Sequence, residues 1–527
     1  EPFGMDRAPW SLPLLWVKGT ANRVSQIKGK RFNGQARRQL WLTCASVCRM
    51  CTGEGAFIIE KVSPKGTYHT FPPSEAQRLK NLRGEARQIL ETLRPKGAGP
   101  FPGPKEVPMK IRKASASDTE DVKALWAYCF EKPTDPFFQW YFKDLYTPET
   151  VLLGEENGQA ACDLHRRPYT MSVRGRRFDT DYIVGVATHP AARGRGYASS
   201  LLRSAFHLAA REGKPFVTLM PSAASYYLPM GFGFFVHQWE RKSSPEQLAP
   251  LGKKPVSCRV LTDGEGWQEL ARVYDAYTRG RNGFTLRDEK SWKSHIHGQL
   301  LDGFIALVYD EKGPAGYMFY SLADRRLIVT EMAFASEKGR QGLYAFMAGH
   351  RGSVDECIWY EPLDDRSFRY WEDGAEHTYI RNRSFPYMLA RLTDPVTAFD
   401  GLPCNDHIHG TVAFQLVDSF LPENNGIYVL RAEGGKISAL KEDVFYSLKC
   451  HIEDISGVRL GEDIPEPSFC IGAGSLAELF MGAADLPELD RLEKISWLTA
   501  DEAEKDQVLS LAASLLPAEK NWINEWF

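Results

Sequence analysis

The chain has 527 residues, 43% of them hydrophobic and 25% charged, with a formal net charge of -2 at neutral pH. That length is too great for one ordinary core, so about three or four domains are expected, and the composition is that of a globular protein whose core needs neither disulfides nor metals. No apolar run reaches the ~20 residues of a membrane-spanning helix; Trp10 to Val17 is too short and is broken by Pro13, so it reads as neither anchor nor signal peptide.

Charge is unevenly divided. Residues 1–108 hold 18 Lys and Arg against 8 Asp and Glu, a balance of +10, and the remainder carries -12. A basic appended module with its own partners is implied, beside an acidic body suited to cationic, amine-bearing substrates. Of ten cysteines, Cys129, Cys162, Cys258, Cys357, Cys404, Cys450 and Cys470 are scattered among apolar neighbours. Without an export signal they read as reduced core thiols, and the expected compartment is the cytoplasm.

In chain order, residues 1–93 form a basic accessory module of unknown role. Cys44, Cys48 and Cys51, with His69 downstream, match tetrahedral zinc in ligand number, but a second cysteine pair is lacking and the histidine is distant, so no metal is expected. Trp41, Tyr68 and Phe71 amid the positive charge leave nucleic-acid contact open, and Ser74 to Leu93 reads as a solvated amphipathic helix. Pro and Gly mark 94–108 as a linker. Met109 followed by a strand suggests that 109–527 is a complete protein and 1–108 an addition.

Residues 109–247 alternate strand and helix signals. Asp118 to Phe130 is helical, Thr150 to Leu153 and Ala160 to Leu164 are strands about Asn157-Gly158, and Met171 to Val173 and Phe178 flank a hairpin at Arg174-Gly175. Tyr182 to Thr188 is a buried strand, Ala198 to Glu212 an amphipathic helix closed by Gly213, and Phe216 to Met220 the next strand. Residues 248–395 repeat this grammar more faintly. Residues 396–527 open on strands (Gly410 to Asp418, Gly426 to Arg431) and continue through helices (Ser475 to Gly482, Gln507 to Leu515).

Between strand 182–188 and the next helix lies Arg193-Gly194-Arg195-Gly196-Tyr197-Ala198. Strand, Arg/Gly turn and helix start together point several backbone N–H groups at one spot, where the helix dipole favours an anion. Gly194 and Gly196 let the backbone approach a pyrophosphate. The turn is not a Walker loop, since no Lys-Ser/Thr follows the last glycine, nor the dinucleotide fingerprint, which lacks the leading arginine and needs an acid on the next strand. Arg-x-x-Gly-x-Ala after a strand resembles the acyl-CoA pyrophosphate loop of the GNAT acetyltransferases.

With Gly185 to Pro190 and Tyr226-Tyr227-Leu-Pro-Met-Gly231-Phe232, the resemblance narrows to the enhanced intracellular survival type of acetyltransferase. Leu416 to Gly426 and Asn521 to Phe527 extend it across about 109–527. It implies an α/β (α+β) chain: a catalytic GNAT domain, 109–247; a degenerate GNAT-like domain, 248–395; and a sterol-carrier-protein-like domain, 396–527. Leu343 stands where the second turn, Lys338 to Gly342, would need glycine, so no cofactor is expected there.

The resemblance further implies acetyl-CoA, gripped by the backbone of Val186, Ala187 and Thr188 and the turn 193–198, and an amine or lysine-like acceptor attacking directly in a ternary complex. Tyr227, four residues before Gly231-Phe232, takes the general-acid role, and the main-chain carboxylate of Phe527 that of base. Trp126, Phe130 and Trp140 are candidate pocket aromatics, and a homo-oligomer is implied. Two other readings stand beside this one: a lipid-binding sterol-carrier-like protein with an inactive acetyltransferase core, and an acetyltransferase directed to nucleic acid by its basic extension.

Overall fold

The computed structural model describes residues 109–370, 380–442 and 465–526. The first repeat runs through β1 (Lys110–Lys113), helix α1 (Thr119–Cys129), β2 (Val151–Glu156), β3 (Gln159–Val173), β4 (Arg176–Thr188), helix α2 (Tyr197–Arg211), β5 (Phe216–Leu219), the short helix α3 (Ala224–Tyr227) and β6 (Gly233–Ser243). Both hairpin turns, Asn157-Gly158 and Arg174-Gly175, have positive φ at each residue, the twist that two-residue hairpins require. Helix α2 buries Leu201, Leu202, Ala205, Phe206 and Ala209 on one face.

The sequence suggests a break between Phe178 and Tyr182, but β4 is one 13-residue strand paired to β3 along its length. The intervening polar residues are satisfied within the sheet. Thr170 bonds Asp179, while Arg166 and Lys214 hold the buried carboxylate of Asp181 at 2.7 Å each. A buried charge so paired does not interrupt a strand.

The second repeat follows a similar order, with β8 and α5 added after its first helix: β7 (Ser257–Leu261), α4 (Trp267–Thr278), β8 (Phe284–Thr285), α5 (Glu289–Gln299), β9 (Phe304–Asp310), β10 (Gly313–Ala323), β11 (Arg326–Phe334), α6 (Glu337–Ala348), β12 (Glu356–Pro362) and β13 (Arg381–Leu392). The repeats exchange their last strands. β13 lies between β5 and β6, and β6 pairs in turn with β12, so both repeats share one 13-stranded sheet. This fusion fixes the repeats to each other through main-chain hydrogen bonds as well as packing.

The last part has a five-stranded sheet ordered β16-β15-β14-β17-β18, from β14 (Gly410–Val417), β15 (Gly426–Glu433), β16 (Lys436–Glu442), β17 (Phe469–Gly472) and β18 (Ile495–Trp497). Helices α7 (Ala473–Met481) and α8 (Glu502–Leu515) pack with it. Among the described residues no helix is long and apolar enough to cross a membrane. Cys129, Cys162, Cys258, Cys357, Cys404 and Cys470 are free thiols; Cys450 lies outside the described residues.

Candidate active site

β4 and β5 run parallel but pair only at Asp181/Val217 and Tyr182/Thr218. Past Tyr182, β4 continues to Thr188 bonded to β3 alone, so its other edge, carrying Val186, Ala187 and Thr188, opens into a wedge between the strands. Such an edge keeps main-chain donors and acceptors that a ligand can complete as a strand would.

A bulge shapes this edge. The β3–β4 register slips between Asp163/Ala187 and His165/Val184, and Gly185 takes φ +57°. A Cβ there would lie 2.4 Å from the Trp126 ring and 3.2 Å from His165. Glycine is therefore required twice, for its backbone angle and for the close approach of Trp126.

At the end of β4, Arg193–Gly196 leads into α2. Gly194 and Gly196 have φ of +76° and +81°, and a Cβ on either would meet nothing within 4 Å. Gly196 caps α2 without a side chain, so the first-turn N–H groups of Tyr197, Ala198 and Ser199 face outward. The Arg193 Nε bonds the Thr188 carbonyl at 3.1 Å; Arg195, 48% exposed, pairs with Glu156 and the Ala191 carbonyl. Tyr197 is buried and anchors the helix start. The arrangement fits a pyrophosphate: uncapped donors, a helix dipole, two cations and open space.

Tyr227 ends α3, half-buried, its ring 5.8 Å from Phe232. Burial pushes its hydroxyl up to about 12, so it stays protonated through the neutral range. Its neighbour Tyr226 is 43% exposed. The aromatic candidates divide. Trp126 is buried under the bulge, stacked on Tyr141 at 4.5 Å and edge-on to the exposed Phe130 at 5.1 Å. Trp140 is buried against α5, where a Cβ on Gly298 would come within 2.6 Å of its ring.

The chain end threads into the shared sheet. Trp522 packs on Tyr274 and Tyr277, Gln238 donates to the Ile523 carbonyl at 3.1 Å, and the Tyr182 hydroxyl donates to the Glu525 carbonyl at 2.9 Å. Tyr182 is also the last β4 residue paired with β5, so the tail passes the point where the wedge opens. Trp526 lies 4.7 Å from Tyr387. Phe527 lies outside the described residues, as do Cys44, Cys48, Cys51 and the rest of 1–108. Among the described residues no group of three metal-ligating side chains gathers.

Two features here carry little sequence signal. His165, buried, bonds the Tyr141 hydroxyl through Nδ1 at 2.8 Å, and its Nε2 lies 3.7 Å from the buried Asp163 carboxylate, whose pKa burial pushes up. Arg287 donates to Glu525 at 2.9 Å and to Glu331 at 2.8 and 2.9 Å, and His295 meets the same Glu331 at 2.9 Å. Burial opposes ionisation of Glu331, but Arg287 and His295 together hold its carboxyl far below the usual range. His165 stands out only as a lone histidine, and the second network joins residues more than 200 positions apart.

In the last domain, Phe414 stacks on both Tyr428 and Phe469 at 5.6 Å. Among the described residues the apolar gap there, lined by Val412, Leu430 and Leu515, is about 10 Å³. That is the scale of one water, against hundreds of Å³ for a ligand pocket.

Residues 110–235 match an acetyltransferase (GNAT) domain, 283–392 a second acetyltransferase (GNAT) domain and 396–524 a sterol carrier protein domain. No curated protein sequence matches the chain. Among solved structures, a GCN5-related N-acetyltransferase from Anabaena variabilis is similar in fold, with TM-score 0.65 and 16% identity over 80% of this chain and 100% of its own. A probable N-acyltransferase from Enterococcus faecalis has TM-score 0.65 and 17% identity over the same shares. Eis1 from Mycobacterium abscessus has TM-score 0.59 and 15% identity, again over 80% and 100%.

Proposed function

Two GNAT acetyltransferase domains ahead of a sterol carrier protein domain make this chain an acyltransferase, and from that premise we propose that its first repeat transfers acetyl from acetyl-CoA to a primary amine. The observation that carries the reading is the conjunction of the open β4 edge with the uncapped start of α2. The N–H groups at Tyr197 to Ser199, with Gly194 and Gly196, receive the pyrophosphate, and Arg193 and Arg195 add positive charge. The edge Val186 to Thr188 bonds the thioester carbonyl, where donors count most as charge builds on oxygen.

The amine nitrogen forms a bond to the thioester carbon, the carbon–sulfur bond breaks, and the thiolate takes a proton from the Tyr227 hydroxyl. A phenol pushed up to about 12 is in its protonated form at neutral pH, as a proton donor must be. The nitrogen's proton goes to the base, which we assign to the main-chain carboxylate of Phe527. Support for that assignment is the burial of Trp522 and Ile523 and the passage of Glu525 beside Tyr182. Trp126 and Phe130 border the acceptor. The same reading takes the protein as a cytoplasmic homo-oligomer and leaves nucleic-acid contact to the basic 1–108, which removal of that segment tests by electrophoretic shift.

Tyr227→Phe is expected to lower kcat about 10²-fold with acetyl-CoA affinity by calorimetry unchanged; unaltered kcat removes the residue from the acid role. Addition of one glycine after Phe527 is expected to depress kcat, and wild-type turnover in that variant assigns the base elsewhere.

A further inference from the structure

Deep in the protein, the sterol carrier protein domain meets the turn that follows Tyr227. Arg391, near the end of β13, and Asp418, just past β14, form an ion pair in which each side chain is 1% exposed. Arg391 Nε donates to the Met230 carbonyl at 2.8 Å, and its Nη1 to the Leu392 carbonyl. Asp418 is fixed in its own loop. Its carboxylate accepts from the backbone N–H of Phe420 and Leu421 at 3.1 and 2.9 Å and from Asn424 Nδ2 at 3.2 Å, while its N–H donates to Asn425 Oδ1.

Met230 closes the turn Leu228–Met230 directly after Tyr227. The next residue, Gly231, has φ +84°, and a Cβ on it would lie 2.9 Å from Arg391 Nε and 2.9 Å from Ala473 Cβ at the start of α7. The glycine four residues beyond Tyr227 thus leaves room for a guanidinium. Phe232 links Tyr227 to Phe206 at 5.8 and 5.7 Å, and Phe206 meets Phe420 at 5.8 Å. The tyrosine turn is therefore held from behind by a charge-assisted hydrogen bond and an aromatic chain, both ending in the Asp418 loop.

We propose that Arg391, locked by Asp418, is a positioning residue for the Tyr227 hydroxyl, and that the sterol carrier protein domain serves in this chain to aim the proton donor. A buried guanidinium with a fixed partner cannot swing away, so the Met230 carbonyl, and with it the turn, has one place to sit. The inference rests on the reading of Tyr227 as general acid.

The test is a double-mutant cycle in the full chain, with kcat, the KM for acetyl-CoA and the amount of folded protein measured for each member. Asp418→Asn is expected to lower kcat about tenfold with that KM within about twofold, and to have no further effect on kcat in the Tyr227→Phe background. Arg391→Lys, which keeps the charge and loses the fork, is carried through the same cycle in case Asp418→Asn does not fold, and it should lose less kcat than the amide. If Asp418→Asn or Arg391→Lys lowers kcat by the same factor in both backgrounds, or leaves it unchanged, the positioning role is overturned while the acid role stands. If Tyr227→Phe itself leaves kcat unchanged, the acid reading fails first, and the inference with it.

Discussion

In the first repeat β4 hands over to α2 through the exposed turn Arg193–Gly196, and in the second β11 hands over to α6 through Ala335 and Ser336. Arginine and glycine stand in the first junction and, in the second, just inside the helix at Gly339 and Arg340. In the first, the glycines precede the helix, take left-handed angles and face open space. In the second, the helix has already begun: Ser336 caps it by accepting from Gly339 N–H at 3.2 Å. A Cβ on Gly339 would fall 1.9 Å from the Ala315 carbonyl, so this glycine serves close helix–sheet packing. Arg340 is held by Glu337 and Asp365, and Leu343 is buried. What separates the junctions is the phase of the glycines against the helix start, which decides whether the first-turn donors are left without a side-chain cap or are capped.

The strand wedges differ in the same sense. β11 and β12 pair only from Arg326/Glu356 to Ile328/Ile358, and β11 then bulges at Thr330. There Asn524 of the tail donates to the Thr330 carbonyl at 2.5 Å, with Arg287 and Glu331 beside it. The second repeat has filled its wedge with the chain's own end. In the first repeat the corresponding edge, Val186 to Thr188, has no pairing to β5, and it is this edge that the proposed function gives to the thioester.

The largest expected contrast is between the two glycines. Gly196→Val places a β-branched residue at φ +81° and a side chain over the helix start, and should weaken acetyl-CoA binding about 10²-fold by calorimetry. Gly339→Val should leave the affinity of whatever protein folds unchanged and instead lower Tm steeply, because its side chain has backbone in its way. Equal losses of affinity from both, at unchanged Tm, would break the comparison.

The next contrast concerns the filled wedge and reads on stability alone. Glu331→Gln removes one partner of a buried ion pair and is expected to cost about 3–5 kcal/mol. Because Glu331 is held below its unfolded value, its contribution is present above the unfolded carboxylate pKa near ~4.3 and is lost as pH falls. The fall of Tm from about pH 6 to about pH 3 should therefore be shallower in the variant than in the wild type. Equal slopes would remove Glu331 from the support of the tail.

These contrasts also mark what the sequence could tell. The Arg193–Ala198 turn and the spacing of Tyr227 to Gly231-Phe232 are local patterns, legible within a short stretch of chain. The reason for Gly231 is not local, since its neighbour Arg391 is 160 positions away and reads in isolation as a solvated charge. Asn424 and Asn425 lie in the turn between β14 and β15, and both also hold Asp418. Hydropathy period tells which face of a strand is buried and not which strand lies beside it, so the exchange of β6 and β13 and the run from Arg287 to Glu525 were hidden. The buried carboxylate of Asp163 is invisible for the same reason, because burial belongs to the packed sheet and not to the residue.

The smallest expected effect compares the two arginines. Arg195 is 48% exposed and Arg340 11%, so the first acts through solvent and the second through an internal network. Arg195→Gln is expected to weaken acetyl-CoA binding about threefold at about 50 mM salt, and the difference should fade near about 0.5 M as screening shortens the reach of an exposed charge. Its Tm should not change, since an exposed pair with Glu156 contributes little. Arg340→Gln should behave in the opposite way, leaving affinity unchanged at every salt concentration and lowering Tm, because Asp365 and Glu337 lose the cation between them. Were the Arg195→Gln loss to persist undiminished in high salt, its guanidinium would be making a desolvated contact to the phosphates. The first turn would then close over its ligand, and the contrast between an open junction and a capped one would hold only for the free protein.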